Sequence, residues 1–412
     1  MRYQRWIGLF GLWTTLLLTS FQTSADEVRI IPMITVKEEY NDNIYFERSD
    51  GLSDFITTAS PGLKLERNSE RMKAALTARI DERLYIDNTD LNATDQDYQG
   101  SLGYALSPRL TVGADAGFTR DSSPDREIET TGLVMNALKR DRQKYGGFGR
   151  YAISEITQAS LSAQYTKEHY EENNQNSSTP YFRDMESKNA NLLLIHDVSA
   201  ILPQTKGRAS FGYANYQYVD STIDNYTAMV GFGRAFHELW NVTVDAGVRY
   251  TPSQFNVTQY EFIPPFFFIP VTKTEQTQGW GGVGNAVVSY KDDVSSLDFT
   301  LAHDIMAASG RTGASERTSF SVSMSRRFAY ELTGYLSTSY FLNKSDQGQY
   351  SLDAIDEQTF YITPRIRYNF TQDMAVDLSY TYTRTAYEES GDNDANRNLV
   401  MIRFSLQYPL FE

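Results

Sequence analysis

Val400-Met401-Ile402-Arg403-Phe404-Ser405-Leu406-Gln407-Tyr408, close to the end of the 412-residue chain, alternates between two sets of side chains without a break. Successive side chains of an extended strand point to opposite faces. Val400, Ile402, Phe404, Leu406 and Tyr408 therefore share an apolar face, and Met401, Arg403, Ser405 and Gln407 share the other. The same period runs through Phe360–Tyr368, where Phe360, Ile362, Ile366 and Tyr368 oppose Tyr361, Thr363, Arg365 and Arg367. Val242–Tyr250 and Leu110–Ala116 repeat it, and no stretch of comparable length shows the helical period. The pattern predicts an all-β chain.

The connections carry a second regularity. Tight joints fall near Arg67–Glu70, Ser107-Pro108, Ser154–Ile156, Pro203–Lys206, His237-Glu238, Asp292-Asp293, Ala329–Glu331 and Thr371–Asp373. Longer polar connections cover residues 41–53, 87–95, 121–141, 168–186, 219–223, 255–275, 308–316, 344–357 and 386–397. Strands joined this way form an antiparallel up-and-down meander of about 18 strands, within a range of roughly 16–18.

Composition narrows the setting. The chain has 38 Lys+Arg against 52 Asp+Glu, a net charge of -14, four His and no Cys. Without Cys there is no disulfide framework, zinc-thiolate site or thiol catalysis. The acidity argues against nucleic acid as a partner. Apart from the N-terminus, no apolar run approaches the roughly 20 residues of a membrane-spanning helix. Residues 1–25 have the plan of a signal peptide: Arg2 and Arg5, an apolar run from Ile7 to Leu18, and a small-residue cleavage site at Thr23-Ser24-Ala25. Residues 26–412 are expected to form one domain.

Three features favour a barrel crossing a bacterial outer membrane. The strands approach the 9–11 residues that a tilted membrane strand needs, longer than the usual soluble strand. Short joints on one side and long connections on the other match periplasmic turns and extracellular loops. The excess of Tyr (28 residues) gathers near strand ends, at Tyr85, Tyr104, Tyr151, Tyr165, Tyr218, Tyr250, Tyr290, Tyr340, Tyr382 and Tyr408, joined by Trp240, Phe328 and Phe370. Such residues favour the hydrocarbon–water boundary because an apolar ring carries a polar tip. Lipid and lipopolysaccharide are then the surroundings. Phe404, Leu406 and Tyr408 resemble the C-terminal signal read by the barrel assembly machinery, although Pro409-Leu410-Phe411-Glu412 extends beyond it.

A further resemblance lies at the start of the mature chain. Glu38-Glu39-Tyr40-Asn41-Asp42-Asn43-Ile44-Tyr45 is similar to the opening of outer-membrane β-barrel porins associated with exopolysaccharide and PEP-CTERM systems of Gram-negative bacteria. That resemblance implies a passive conduit for exopolysaccharide export, with periplasmic polysaccharide-export proteins as partners. The residues themselves equally suit a diffusion porin for small polar solutes, or a plugged structural or adhesive surface barrel.

About eighteen strands would enclose a water-filled lumen. Asp115, Asp245, Asp298 and Asp377 follow short joints on the polar face, so they are expected to line it on the periplasmic side, with Arg249, Arg327, Arg365, Arg367 and Arg403 facing them. Two connections are candidates to narrow the passage: residues 121–141, and the apolar run Pro264-Pro265-Phe266-Phe267-Phe268, which suits packing on the barrel rim or neighbouring loops, an inward constriction or a partner contact. The acidic segments Asp87–Asp90 and Gly391–Asp394 lack the spacing and closing Glu of a calcium loop, so no metal site is expected. No cofactor motif is seen. No G-x-S-x-G or H-E-x-x-H occurs, and His169, His196, His237 and His303 converge on no nucleophile, so the chain is not read as an enzyme.

Overall fold

The computed structural model describes residues 27–132, 138–171, 184–263, 267–307, 313–352, 354–387 and 394–410. The expected signal peptide lies outside them. Eighteen strands run in chain order: β1 Glu27–Asn41, β2 Asp54–Asn68, β3 Met72–Tyr85, β4 Ala93–Ser107, β5 Leu110–Asp121, β6 Arg140–Ala152, β7 Thr157–Tyr170, β8 Met185–Asp197, β9 Thr205–Gln217, β10 Ser221–Phe236, β11 Trp240–Ile263, β12 Phe267–Lys291, β13 Ser295–Ala307, β14 Ala314–Arg327, β15 Leu332–Ser345, β16 Ile355–Asn369, β17 Met374–Tyr387 and β18 Ala395–Gln407. Each pairs antiparallel with its neighbour, and β1 pairs with β18, which closes the sheet into a barrel.

Hydrocarbon offers no hydrogen-bond partner, so this last seam decides whether the sheet can cross a membrane at all. It runs from Met33↔Gln407 to Asn41↔Leu399. Beyond β18 the tail continues the ladder, with Tyr408 N–H donating to Pro32 O (3.0 Å) and Leu410 N–H to Ile30 O (2.8 Å). Leu410 thus extends the closure beyond Tyr408.

The outer wall carries Ile34, Val36, Leu161, Phe211, Val230, Val248, Phe320, Ile366, Leu378, Val400 and Ile402, all exposed and all on the same register face. At the end with long loops, Tyr213, Tyr226, Tyr250 and Trp280 run side by side across β9–β12, with ring centroids 4.9–6.5 Å apart. Trp240 and Tyr290 meet at 4.8 Å beside a short turn at the other end. These pairs mark two aromatic belts around an apolar band. Tyr85 and Tyr218 depart from the expectation. Both are buried in apolar clusters at the long-loop end, because Tyr85 has the inward register of β3 and Tyr218 lies beyond the end of β9.

The connection at 255–275 is also corrected. It is strand almost throughout, a hairpin in which β11 and β12 stay paired to Ile263↔Phe267. β10 leaves β11 at Phe255, and β13 leaves β12 at His303, so the hairpin projects past both neighbours as a two-stranded ribbon. Pro264, Pro265 and Phe266 lie outside the described residues. For Phe267 and Phe268 only the backbone pairing is described.

The apolar band makes a prediction. Val230 lies mid-strand on the outer face and is 71% exposed in the isolated barrel. Val230→Arg should lower stability in lipid vesicles by about 2–4 kcal/mol, whereas Met229→Arg, on the opposite face, should cost far less. Reversible urea unfolding in vesicles measures both.

Candidate functional site: a plugged, charge-lined lumen

After β5 the chain turns inward. Residues 122–132 cross the mouth of the barrel at the long-loop end, including one α-helical turn, α1 Ile128–Thr131. On the near side this segment is held by charge. Arg140 of β6, 2% exposed, contacts Glu127 (2.6 Å), Asp121 (2.7 Å) and Glu168 of β7 (3.6 Å). Arg142 reaches Glu168 (2.9 Å) and Glu127 (3.3 Å), and Arg126 reaches Asp121 (3.2 Å). Ser122 donates to Asp95 (2.9 Å), itself paired with Arg83.

On the far side the anchors come from β14–β18. Asp125 pairs with Arg397 (2.8 Å), Arg317 donates to Thr130 O (2.9 Å), and Asn343 to Thr131 O (3.0 Å). Thr359 donates to Gly132 O. Ile128 packs with Phe46, Phe341, Tyr361 and Ala395. β6 and β15 stand nine places apart in a ring of 18 strands, so the segment spans the diameter. Gly132 completes the turn with φ +73, and a Cβ there would lie 2.7 Å from Phe341. Glycine alone suits both the left-handed backbone and the close approach.

A second inward element fills the other half of the mouth. Tyr350, 1% exposed, sits among Met185, Tyr216, Tyr218, Ile223, Ile305 and Ala314. Its hydroxyl lies 3.3 Å from Arg249 Nη1, and Arg249 also pairs with Glu316. Gly279 and Gly281 leave the inner face of β12 bare, which makes room for Tyr350 and Arg249 to lie against it.

The other expected lumen residues lie closer to the short-turn end. Asp377 of β17 is wholly buried, between Arg403 of β18 (3.0 Å) and Arg365 and Arg367 of β16 (3.7 and 4.0 Å). Asp245 pairs with Arg208 (2.9 Å), a residue the alternation did not single out, rather than with Arg249. Asp298 accepts from Ser289 (2.6 Å), Arg327 donates to Asp293 O in a turn (2.9 Å), and Asp115 is exposed. Thus Asp377 and three arginines are brought together, Arg249 belongs to the roof, and Asp115, Asp298 and Arg327 stand apart from both groups.

Electrostatics hold the roof down. Burial pushes the Asp125 carboxyl up, but neighbouring Arg397 and the Ser123 hydroxyl outweigh it and hold the group well below the usual carboxylate range. Glu127 is likewise lowered overall, burial being overcome by Arg140 and Arg142. A carboxyl lowered in the folded state stabilises it above the unfolded pKa, and that contribution fades as pH falls through the folded value. The roof should therefore stay docked at neutral pH and loosen as pH drops below the ordinary carboxylate range of about 4. Limited proteolysis within residues 122–132 should accelerate at about pH 3 relative to pH 7. Asp125→Asn should raise the neutral-pH rate toward the acid one.

No family model matches the chain, and the comparison with curated proteins finds no match. Among solved structures, the unliganded ferric citrate transporter FecA is 7% identical with a TM-score of 0.51, over 94% of this chain and 79% of that one. OccAB1 of Acinetobacter baumannii is 12% identical (TM-score 0.47, 95% and 100% covered), and the outer membrane protein opdK of Pseudomonas aeruginosa is 10% identical (TM-score 0.44, 92% and 99%). At these identities the likeness is one of fold alone: a closed antiparallel β-barrel, here of 18 strands.

Proposed function

We propose that the chain is a gated diffusion channel for small polar solutes across the outer membrane, closed at its extracellular end by residues 122–132. One observation carries this reading: the segment that crosses the mouth is tethered to the far wall by side-chain ion pairs and hydrogen bonds, not by strand pairing. Contacts of that kind break and re-form without disturbing the wall. An 18-stranded wall is also wide enough to hold a water-filled passage beneath the roof. Ser319, Ser321, Ser323 and Ser325 of β14, with Ser337 and Ser339 of β15, add hydroxyls along its inner face.

Exopolysaccharide export, the function implied by the resemblance of Glu38–Tyr45, has no observation in its favour, since a polymer would have to thread a mouth that two elements cross. Opening the gate tests the channel reading. The triple variant Arg317→Ala, Asn343→Ala, Arg397→Ala removes three far-side tethers and leaves the near side intact. In planar bilayers it should conduct several-fold more than the unaltered protein. A variant that inserts and stays silent would overturn the reading and favour a plugged surface barrel.

A further inference from the structure

Three arginines gather on one carboxylate just inside the short-turn end of the barrel. Arg365 and Arg367 of β16, Asp377 of β17 and Arg403 of β18 all lie within a few residues of a turn or of the end of β18, with inward register. Asp377 has no exposed side-chain surface, and the arginines are 32%, 35% and 30% exposed. Among the described residues only Arg403 hydrogen-bonds to the carboxylate, through Nε (3.3 Å) and Nη2 (3.0 Å) to Oδ2. Arg365 and Arg367 stand at 3.7 and 4.0 Å, too far for a hydrogen bond. One carboxylate against three guanidinium groups leaves two positive charges uncompensated, and among the described residues no other carboxylate comes within ion-pair distance of them.

Their placement is constrained. The Arg365 guanidinium lies 4.2 Å over the Tyr335 ring, which orients its plane and leaves its edge free. Arg367 Nε donates to Asn369 Oδ1 (3.1 Å), which fixes one side of that group. Asp377 is the positioning residue: buried and shared, it draws the three side chains to one spot without neutralising them. In a chain whose net charge is -14, this is a local reversal of sign on the lumen wall. Guanidinium edges suit oxyanions because their parallel N–H groups match two oxygens of a phosphate or carboxylate at once.

We propose that Arg365, Arg367 and Arg403 form a binding station for multivalent oxyanions at the periplasmic mouth, with inorganic phosphates and small polycarboxylates as the ligand class. The proposal rests on the channel reading for its purpose but not for its chemistry. Isothermal titration of the detergent-solubilised full chain with inorganic pyrophosphate at low ionic strength tests it. The unaltered protein should show one saturable site that weakens as salt is raised. Arg365→Gln combined with Arg367→Gln should reduce the affinity at least tenfold, whereas Arg71→Gln, in an exposed turn, should leave it unchanged. Heat-modifiable mobility on gels verifies that each variant is a folded barrel. If Arg365→Gln/Arg367→Gln does not fold, the single variant Arg365→Gln, expected to weaken binding several-fold, decides. Absence of saturable binding, or binding that the arginine substitutions leave untouched, overturns the station. Because the titration reads binding and not current, a protein that binds pyrophosphate while the roof variant stays silent would sink the channel reading alone.

Discussion

Every feature of this molecule depends on closing a hydrogen-bonded sheet in a solvent that cannot hydrogen-bond. A sheet edge in hydrocarbon exposes a row of unpaired amides and carbonyls, each costing several kcal/mol, so the first and last strands must meet. The β1–β18 ladder, extended by Tyr408 and Leu410 onto the start of β1, satisfies that requirement. Closure also imposes the two-residue period everywhere, since each strand then has one face toward lipid and one toward the lumen.

Once the ring closes at 18 strands, its interior is too wide for wall side chains to fill. Among the described residues the buried apolar side chains consequently form separate clusters and no continuous core through the barrel. They cluster at the extracellular end, where residues 122–132, Tyr350 and the loop around Ile44 and Phe46 fold inward and supply the missing layer. The rest of the inner wall stays polar and partly accessible. Apolar packing and buried ion pairs thus make a roof, while half-exposed charge lines the space beneath it.

The buried charges on the near side of the roof share their partners. Arg140 contacts three carboxylates, and Glu127 two guanidinium groups. Removing a single partner would leave a charge stranded away from water, which is the expensive outcome for such networks. At the Asp377 cluster the balance is different: cations outnumber the anion and keep contact with the lumen. The same residue types are therefore used in one place to fasten and in the other to attract.

The alternation in Val400–Tyr408 and Phe360–Tyr368, with short joints alternating with long, determined the fold class, the strand number and the direction in which each wall residue points. These properties follow from the local geometry of a strand and the chemistry of the two solvents it faces. Where the periodicity stops, at 255–275, the sequence pointed to a loop, and the structure extends a hairpin there because β11 and β12 pair with each other beyond the reach of their neighbours. Tyr85 and Tyr218 were legible as strand-end aromatics but not as roof residues. Only the closed ring could bring Asp125 to Arg397 or Tyr350 to Arg249, because each pair is far apart in sequence and joined only when distant strands face one another, whereas Arg403 meets Asp377 through the register of the β17–β18 hairpin. In the roof, which charge meets which was decided by barrel closure and by how far each loop folds inward, and neither is written in any local spacing.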